Sequence, residues 1–385
     1  MDSTQKLRCT ENGSGRNDRG AAAFPLDPVL VRWLRRRLLR WYREHARAWP
    51  WRRAMGKAYP VWISEVMLQQ TRVAVVAKAF PAFLARFPSL ARLAAADVEE
   101  VLAAWSGLGY YARARNLHRA ARWLVERGYR DFPSDYATAR RLPGVGPYIA
   151  AAVLSIAYGH RLAAVDANVR RVLRRVFALG LATRRGPAPQ ALANALLVPQ
   201  APGDWNQALM ELGQRLCTPR APKCSSCPWQ LRCAAARALA RTEPPQTRAR
   251  VSPRDHIHLV AELVFDPAGR LLVERGAFPH LKHLWLPLLR RAAADSKASE
   301  QAGAVLGEFR HAIVRRQFRV RVVERTVSHT QARALVRRTS DSIERRLVTP
   351  EELERLGRSS LLLKAWALRV ESARRGGVEL EHALE

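Results

Sequence analysis

Four cysteines, Cys217, Cys224, Cys227 and Cys233, are separated by six, two and five residues, and the only other cysteine is Cys9. Thiolates so close in sequence can ligate one metal centre. Zinc sites usually pair their cysteines as two short-spaced couples. These gaps leave the ligands unpaired and favour one cuboidal 4Fe–4S cluster, with a four-cysteine zinc site as the alternative. Arg220 and Lys223 fall in the first gap. A loop held by metal–thiolate bonds and carrying cations makes a good phosphate contact.

Two carboxylates stand where acid–base work is possible. In WISEVMLQQT, residues 62–71, helical spacing puts Trp62, Glu65, Val66 and Gln69 on one face. A carboxyl group among apolar neighbours keeps its proton to higher pH and can act as a general acid. The same pattern also fits an amphipathic helix with Glu65 at its wet edge. In AVDANVRRVLRRVF, residues 164–177, Asp166 directly precedes an amphipathic helix, where an N-cap aspartate is expected on structural grounds alone. Arg170, Arg171, Arg174 and Arg175 fall on the polar face of that helix and can be merely solvated.

A third segment, LPGVGPYIAAAVL over residues 142–154, can hold an anion. Gly144 and Gly146 permit a tight turn that brings backbone amides close to a ligand. The apolar run then starts a helix whose N-terminus favours negative charge. With a helix over 134–141 before it, the segment has the shape of a helix-hairpin-helix, which grips a phosphate without reading sequence. A generic glycine turn between helices is the plainer possibility.

The elements that position these groups change character along the chain. Three-four spacing at Trp33, Leu34, Arg37, Leu38 and Trp41, and again at Val169, Val172, Leu173, Val176 and Phe177, predicts helices from about Pro28 to Ala236. RTEPPQTRARVSPRD then reads as a proline-rich linker. Beyond it IHLVAELVFD, RLLVERG and FRVRVVERTV are rich in β-branched residues, as strands are, and EELERLG and LLLKAWALRV look helical. The expected organisation is a disordered tail over 1–27, a helical domain over 28–236, a linker over 237–255 and a smaller α+β domain over 256–385.

The 385 residues carry a formal charge of +32, from 65 basic against 33 acidic side chains. An excess of that size points to a polyanionic partner, nucleic acid rather than a membrane surface, although a bias towards arginine codons accounts for part of it. Residues 1–20 lack the apolar core of a secretory signal, and the apolar stretch Leu142–Tyr158 reads as a loop feeding a buried helix. The cysteines are too tightly grouped to staple a secreted fold. The expectation is a soluble, cytoplasmic, nucleoid-associated protein.

AWPWR, WISEVMLQQT, GLGYYARARNL, LPGVGPY, VDANV and the cysteine spacing occur in this order in the endonuclease III superfamily of DNA glycosylases. Over residues 28–236 the chain resembles the MutY-type adenine DNA glycosylases of that superfamily. The resemblance implies an all-α helix-hairpin-helix DNA glycosylase domain with a 4Fe–4S cluster loop, followed by a smaller α+β Nudix-like domain. It implies excision of adenine mispaired with 8-oxoguanine or guanine in double-stranded DNA, by hydrolysis of the N-glycosidic bond. A monomer with no membrane partner is expected.

The resemblance also implies roles. Glu65 would protonate adenine and make it a leaving group. Asp166 would stabilise the oxocarbenium-like sugar and bond to it transiently, the logic of retaining glycosidases. Tyr148 and Asn168 match residues that support this pair, and Arg52 matches a position lining the adenine pocket. Adenine must leave the duplex to be reached. Gln70, Thr71, Leu108 and Tyr110 match residues that wedge the stack and contact 8-oxoguanine. By type alone, Gln70 and Tyr110 equally suit core or surface. Relatives that also cleave the strand carry a lysine two residues after GVG, where this chain has Tyr148. The lysines of the helical segment, Lys57, Lys78 and Lys223, lie outside that motif, so water must complete the reaction.

The match loosens towards the C-terminus. No glutamate-rich Nudix box is present, so no pyrophosphatase activity is expected. Where family members carry Phe-Ser-His, this chain has Ile313, Val314 and Arg315, and HLWLPL keeps only the Trp and Pro of a longer family pattern. Two other functions compete: a thymine or uracil mismatch glycosylase of the same superfamily, and a catalytically silent iron–sulfur DNA-binding protein. Glu65 argues against the first, and the Glu65–Asp166 pair against the second. Cys9 is expected to be an idle thiol.

Overall fold

The structure, a computed structural model, describes residues 26–54, 56–178, 189–239, 256–278, 281–292, 303–313, 316–340 and 342–375. Most of the tail over 1–27, most of the linker over 237–255, Cys9, Val314 and Arg315 therefore lie outside the described residues.

Helices come first: α1 (Pro28–His45), α2 (Ala58–Leu68), α3 (Val73–Arg86), α4 (Leu90–Ala95), α5 (Val98–Ala104) and α6 (Ala112–Val125). They continue through α7 (Tyr136–Arg141), α8 (Pro147–Tyr158), α9 (Ala167–Val176), α10 (Pro189–Leu196), α11 (Pro202–Arg215) and α12 (Ala234–Leu239). The sheet region follows with β1 (His256–Phe265), β2 (Leu271–Arg275), β3 (Leu288–Arg291), β4 (Ala304–Ile313) and β5 (Arg316–Thr326). It closes with α13 (His329–Arg337), β6 (Glu344–Val348), α14 (Pro350–Glu354) and α15 (Ser360–Arg375).

The chain divides into two compact units, one of residues 1–46 with 161–242 and one of residues 47–160 with 243–385. In the first, α9 packs against α10, α11 and α12, and α1 packs on α11. The apolar stripe of α9 is buried through Val169, Val172, Leu173 and Val176. Trp229, from the cysteine loop, is fully buried and donates its indole N–H to the Leu34 carbonyl at 2.9 Å. That bond pins the loop to α1.

In the second unit α2 and α8 form the central helix pair. Neither is amphipathic. From Val61 to Met67 every residue of α2 is buried, and so is every residue of α8 from Ile149 to Ser155. A helix apolar all round belongs inside a core. Trp62, Phe83 and Trp105 are fully buried in this unit, the last two with ring centres 5.7 Å apart.

The C-terminal sheet has the order β4-β5-β1-β2-β6, with β3 also pairing β1; among the described strands β1 and β5 alone pair in parallel. Its strands alternate between two buried faces. Leu263, Leu271, Val273 and Val322 pack on α15 through Trp366 and Val370, while Val264 and Leu272 pack on α13 through Ala332. A helix-covered sheet of this kind is an α+β layer, as the strand-like texture predicts. Among the described residues, no helix is long and apolar enough to cross a membrane.

Candidate functional site

Glu65 sits at the buried centre of α2, with 5% of its surface exposed. The alternative of a wet-edge glutamate is therefore excluded. Tyr148, the second residue of α8, donates its hydroxyl to Glu65 Oε2 at 2.7 Å. One expectation needs correcting: α2 ends at Leu68, so Gln69 is not on the helix face that carries Glu65. The chain turns sharply there because Gln70 adopts a left-handed conformation, with φ 56°.

The hairpin lies between α7 and α8. Asp135 caps α7 by accepting from the Thr138 amide at 2.7 Å, and Pro147 occupies the first turn of α8. Gly144 has φ 78°, and an added Cβ would lie 2.9 Å from Asn116 Cβ, so only glycine fits. Gly146 differs from expectation. Its backbone is extended, φ −81° and ψ 177°, and a Cβ there would meet nothing within 4 Å. The turn needs its first glycine for conformation; at the second, the open space lies beside the α8 N-terminus. First-turn amides of a helix lack helical acceptors and suit an anion.

Two loops of the same unit carry the residues matched to duplex wedging. Gln70 is exposed and Tyr110 is 50% exposed, with φ 56° and 49° respectively. Leu108 is buried, and its carbonyl accepts from Thr71 Oγ1 at 3.0 Å. Gln70 and Tyr110 border an open groove of about 470 Å³, whose lining also includes Lys282, His283 and His311. Burial pushes the His311 pKa down to about 4, with Lys364 adding to the effect. Burial also lowers that of His283, helped by Arg115 and Lys282. Sequence reasoning missed these groove residues. Ile313 is the last residue of β4, paired with Arg316 at the start of β5, and the hairpin tip between them lies outside the described residues. Arg52 stands on a 3-10 turn, Pro50–Ala54, where its Nη1 donates to the Arg47 carbonyl at 2.6 Å.

In the other unit Asp166 caps α9. Its Oδ1 accepts from the Val169 amide at 2.7 Å, and its Oδ2 accepts from Asn168 Nδ2 at 2.7 Å. Arg171 is not merely solvated. Its Nη2 donates to Asn168 Oδ1 at 2.9 Å and to the Gly213 carbonyl at 2.8 Å, and its Nε to the Cys217 carbonyl at 2.8 Å. A Cβ on Gly213 would come within 2.7 Å of Asn168 Cβ, so α11 approaches this network only through glycine. Hydrogen bonds thus run from the Asp166 carboxylate to the cysteine loop.

Cys217, Cys224, Cys227 and Cys233 line a single cavity with Arg175 and Trp229. Arg175 donates from Nη1 to Cys217 Sγ at 3.4 Å and to the Thr218 carbonyl at 2.6 Å. Burial, with the neighbouring thiols adding to the effect, pushes the Cys227 thiol up to about 11. Four sulfur donors in one another's fields can ionise together only around a cationic centre, so the donor set fits a bound metal group. Among the described residues, no three His, Cys, Asp or Glu side chains are arranged to hold a single metal ion.

Residues 63–196 match the HhH-GPD superfamily of base excision DNA repair proteins. The chain is 44% identical over 234 residues to the adenine DNA glycosylase of Homo sapiens, which is 58% of this chain and 42% of that protein. It is 40% identical over 193 residues to the adenine DNA glycosylase of Mycolicibacterium smegmatis, covering 50% of this chain and 66% of the relative. The chain thus spans less than half the length of the human relative. Among solved structures it is similar to a thermostable thymine-DNA glycosylase, with TM-score 0.50, 27% identity and coverage of 54% of this chain and 97% of that one. Residues 63–196 thus carry the pattern of the HhH-GPD superfamily of base excision DNA repair proteins, and the relatives that the chain matches are adenine DNA glycosylases.

Proposed function

We propose that this protein is a monofunctional adenine DNA glycosylase, which removes adenine mispaired with 8-oxoguanine or guanine by hydrolysing its N-glycosidic bond. The observation that carries the proposal is the buried Glu65 carboxyl held by the hydroxyl of Tyr148, at the hairpin position where strand-cleaving relatives have an amine. A carboxyl removed from water holds its proton more readily and can deliver it to a ring nitrogen of the extruded base. The glycosidic electron pair then leaves with adenine. Asp166, fixed by Asn168 and the Val169 amide, offers its negative charge to the oxocarbenium-like sugar, and water completes an abasic site. With Tyr148 in place of an amine nucleophile, no Schiff base forms and strand cleavage is weak or absent.

Cys217, Cys224, Cys227 and Cys233 would hold one 4Fe–4S cluster. When bound, it supplies a covalent cross-link that shapes the cationic loop rather than bond chemistry. The C-terminal α+β layer is read as Nudix-like by its resemblance, without the glutamates of a pyrophosphatase.

The test uses duplexes with adenine opposite 8-oxoguanine, adenine opposite guanine, and thymine opposite guanine, each treated with alkali after incubation. Alkali-revealed breaks are expected in both adenine strands and not in the thymine strand. Excision of thymine alone would favour the mismatch reading that the thymine-DNA glycosylase likeness raises. Excision from none would leave a DNA-binding protein. Iron and sulfide in anaerobically purified protein, rather than zinc, test the cluster.

A further inference from the structure

Arg113, the second residue of α6, is 8% exposed, and its guanidinium group makes contacts on two sides. On one side Nη1 donates to the carbonyls of Val66, Met67 and Gln69 at 2.9, 2.7 and 2.5 Å. These belong to the last turn of α2 and its cap, where carbonyls lack helical N–H partners and favour a cation. On the other side Nη2 donates to Thr71 Oγ1, the Leu108 carbonyl and the Gly109 carbonyl, each at 2.9 Å. The loop over 69–71 and the loop over 107–111 are thereby joined through one side chain. The Arg113 Cζ also lies 5.7 Å from the centre of the Tyr110 ring, which it supports from the buried side.

Both loops need such a lock. Gln70 and Tyr110 are non-glycine residues in the left-handed region, a conformation that persists only where the surroundings impose it. Both are also well exposed, so their own packing cannot supply the constraint. Burial lowers the Arg113 pKa to about 10, so the group stays charged at neutral pH. A guanidinium has a planar fork that reaches two loops at once, whereas an ammonium is a point donor.

We propose that Arg113 is a positioning residue that fuses the two loops into one preformed wedge, and that this lock governs opening of the duplex rather than bond cleavage. The proposal rests on the glycosylase reading above, since a wedge is needed only if a base must be extruded. Holding the wedge in shape before binding removes the ordering cost from the encounter with DNA.

The test compares wild type with Arg113→Lys, which keeps the charge and loses the fork. Single-turnover adenine excision is measured on a duplex with adenine paired to 8-oxoguanine and on one where adenine stands opposite an abasic analogue, already unstacked. Amide hydrogen exchange of 69–71, 107–111 and α8 is followed in the free protein. Excision from the paired duplex should fall about a hundredfold and from the unstacked substrate no more than about threefold. Exchange in both loops should rise together while α8 keeps its protection. Equal losses on the two substrates, or wild-type exchange in either loop, would overturn the proposal. Should the Lys variant fail to fold, Thr71→Val, which removes the hydroxyl between Arg113 and Leu108, must show the same two signatures at smaller size. Failure of the wild type to excise adenine from either substrate would sink the glycosylase reading, while the exchange arm would still decide the lock.

Discussion

Glu65 and Asp166 are both carboxylates, and the two units build their surroundings by opposite means. Glu65 stands mid-helix, buried, and is held by Tyr148 from 83 residues away. Asp166 is half-buried at a helix start and is held by Val169 and Asn168, three and two residues on. One environment is assembled by tertiary packing and the other by local capping. Burial keeps water from the Glu65 carboxyl, whereas amide donors at the N-cap fix the orientation of the Asp166 carboxyl.

The sharpest break of that comparison is Glu65→Gln. It should lower single-turnover excision at least about a hundredfold, the scale of a positioned general acid, while leaving duplex binding in a gel shift intact. Retained turnover would remove the acid role. At Asp166 two variants separate charge from cap. Asp166→Asn should cost about a hundredfold or more in excision through lost charge stabilisation, yet keep thermal stability because Asn also caps well. Asp166→Ala should lose both, with about 1 kcal/mol of stability gone in denaturant titration. If the two variants melt alike, the cap is not what holds α9.

Smaller effects test the close approaches behind each carboxylate. Gly213→Ala would press on Asn168 Cβ and should destabilise by about 1–3 kcal/mol, with excision falling because Asn168 shifts from Asp166. The hairpin provides the mildest contrast. Gly144→Ala should cost about 1 kcal/mol or more, while Gly146→Ala should stay within about 0.5 kcal/mol, because only the former has positive φ and a crowded Cβ. Equal losses in calorimetry would contradict that assignment.

The contrast between local and distant support recurs in what the sequence reveals. The strands β1, β2 and β5 are legible as short apolar runs that contain β-branched residues. β4 and β6 are not. Gly307 sits at a register break in β4, and β6 reads as Glu344-Arg345-Arg346 before its first apolar residue. Those polar residues belong in a strand because Arg345 pairs with buried Glu274 on β2. The helix α13 carries a capping box, Ser328 with Gln331, whose sequence pattern is visible but short. Similarly, the C-terminal layer meets α5 through Glu99, which accepts from Arg275 and from the Gly357 amide at 3.2 Å. Nothing within α5 itself marks Glu99 for that contact.

By itself the sequence determined the features whose causes lie within a few residues: the Asp166 cap, the glycine conformation at 144, the Pro147 helix start and the grouping of four thiols. Each depends on φ preferences, capping bonds or chain proximity, which act over one turn of backbone. Only the tertiary structure decided that Glu65 is buried, that Tyr148 bonds to it, that Arg113 joins two loops and that Arg171 links Asn168 to the cysteine loop. In these cases a polar group is taken from water by residues distant in the chain, and its partner is whichever donor or acceptor the packed helices bring within 3 Å or so.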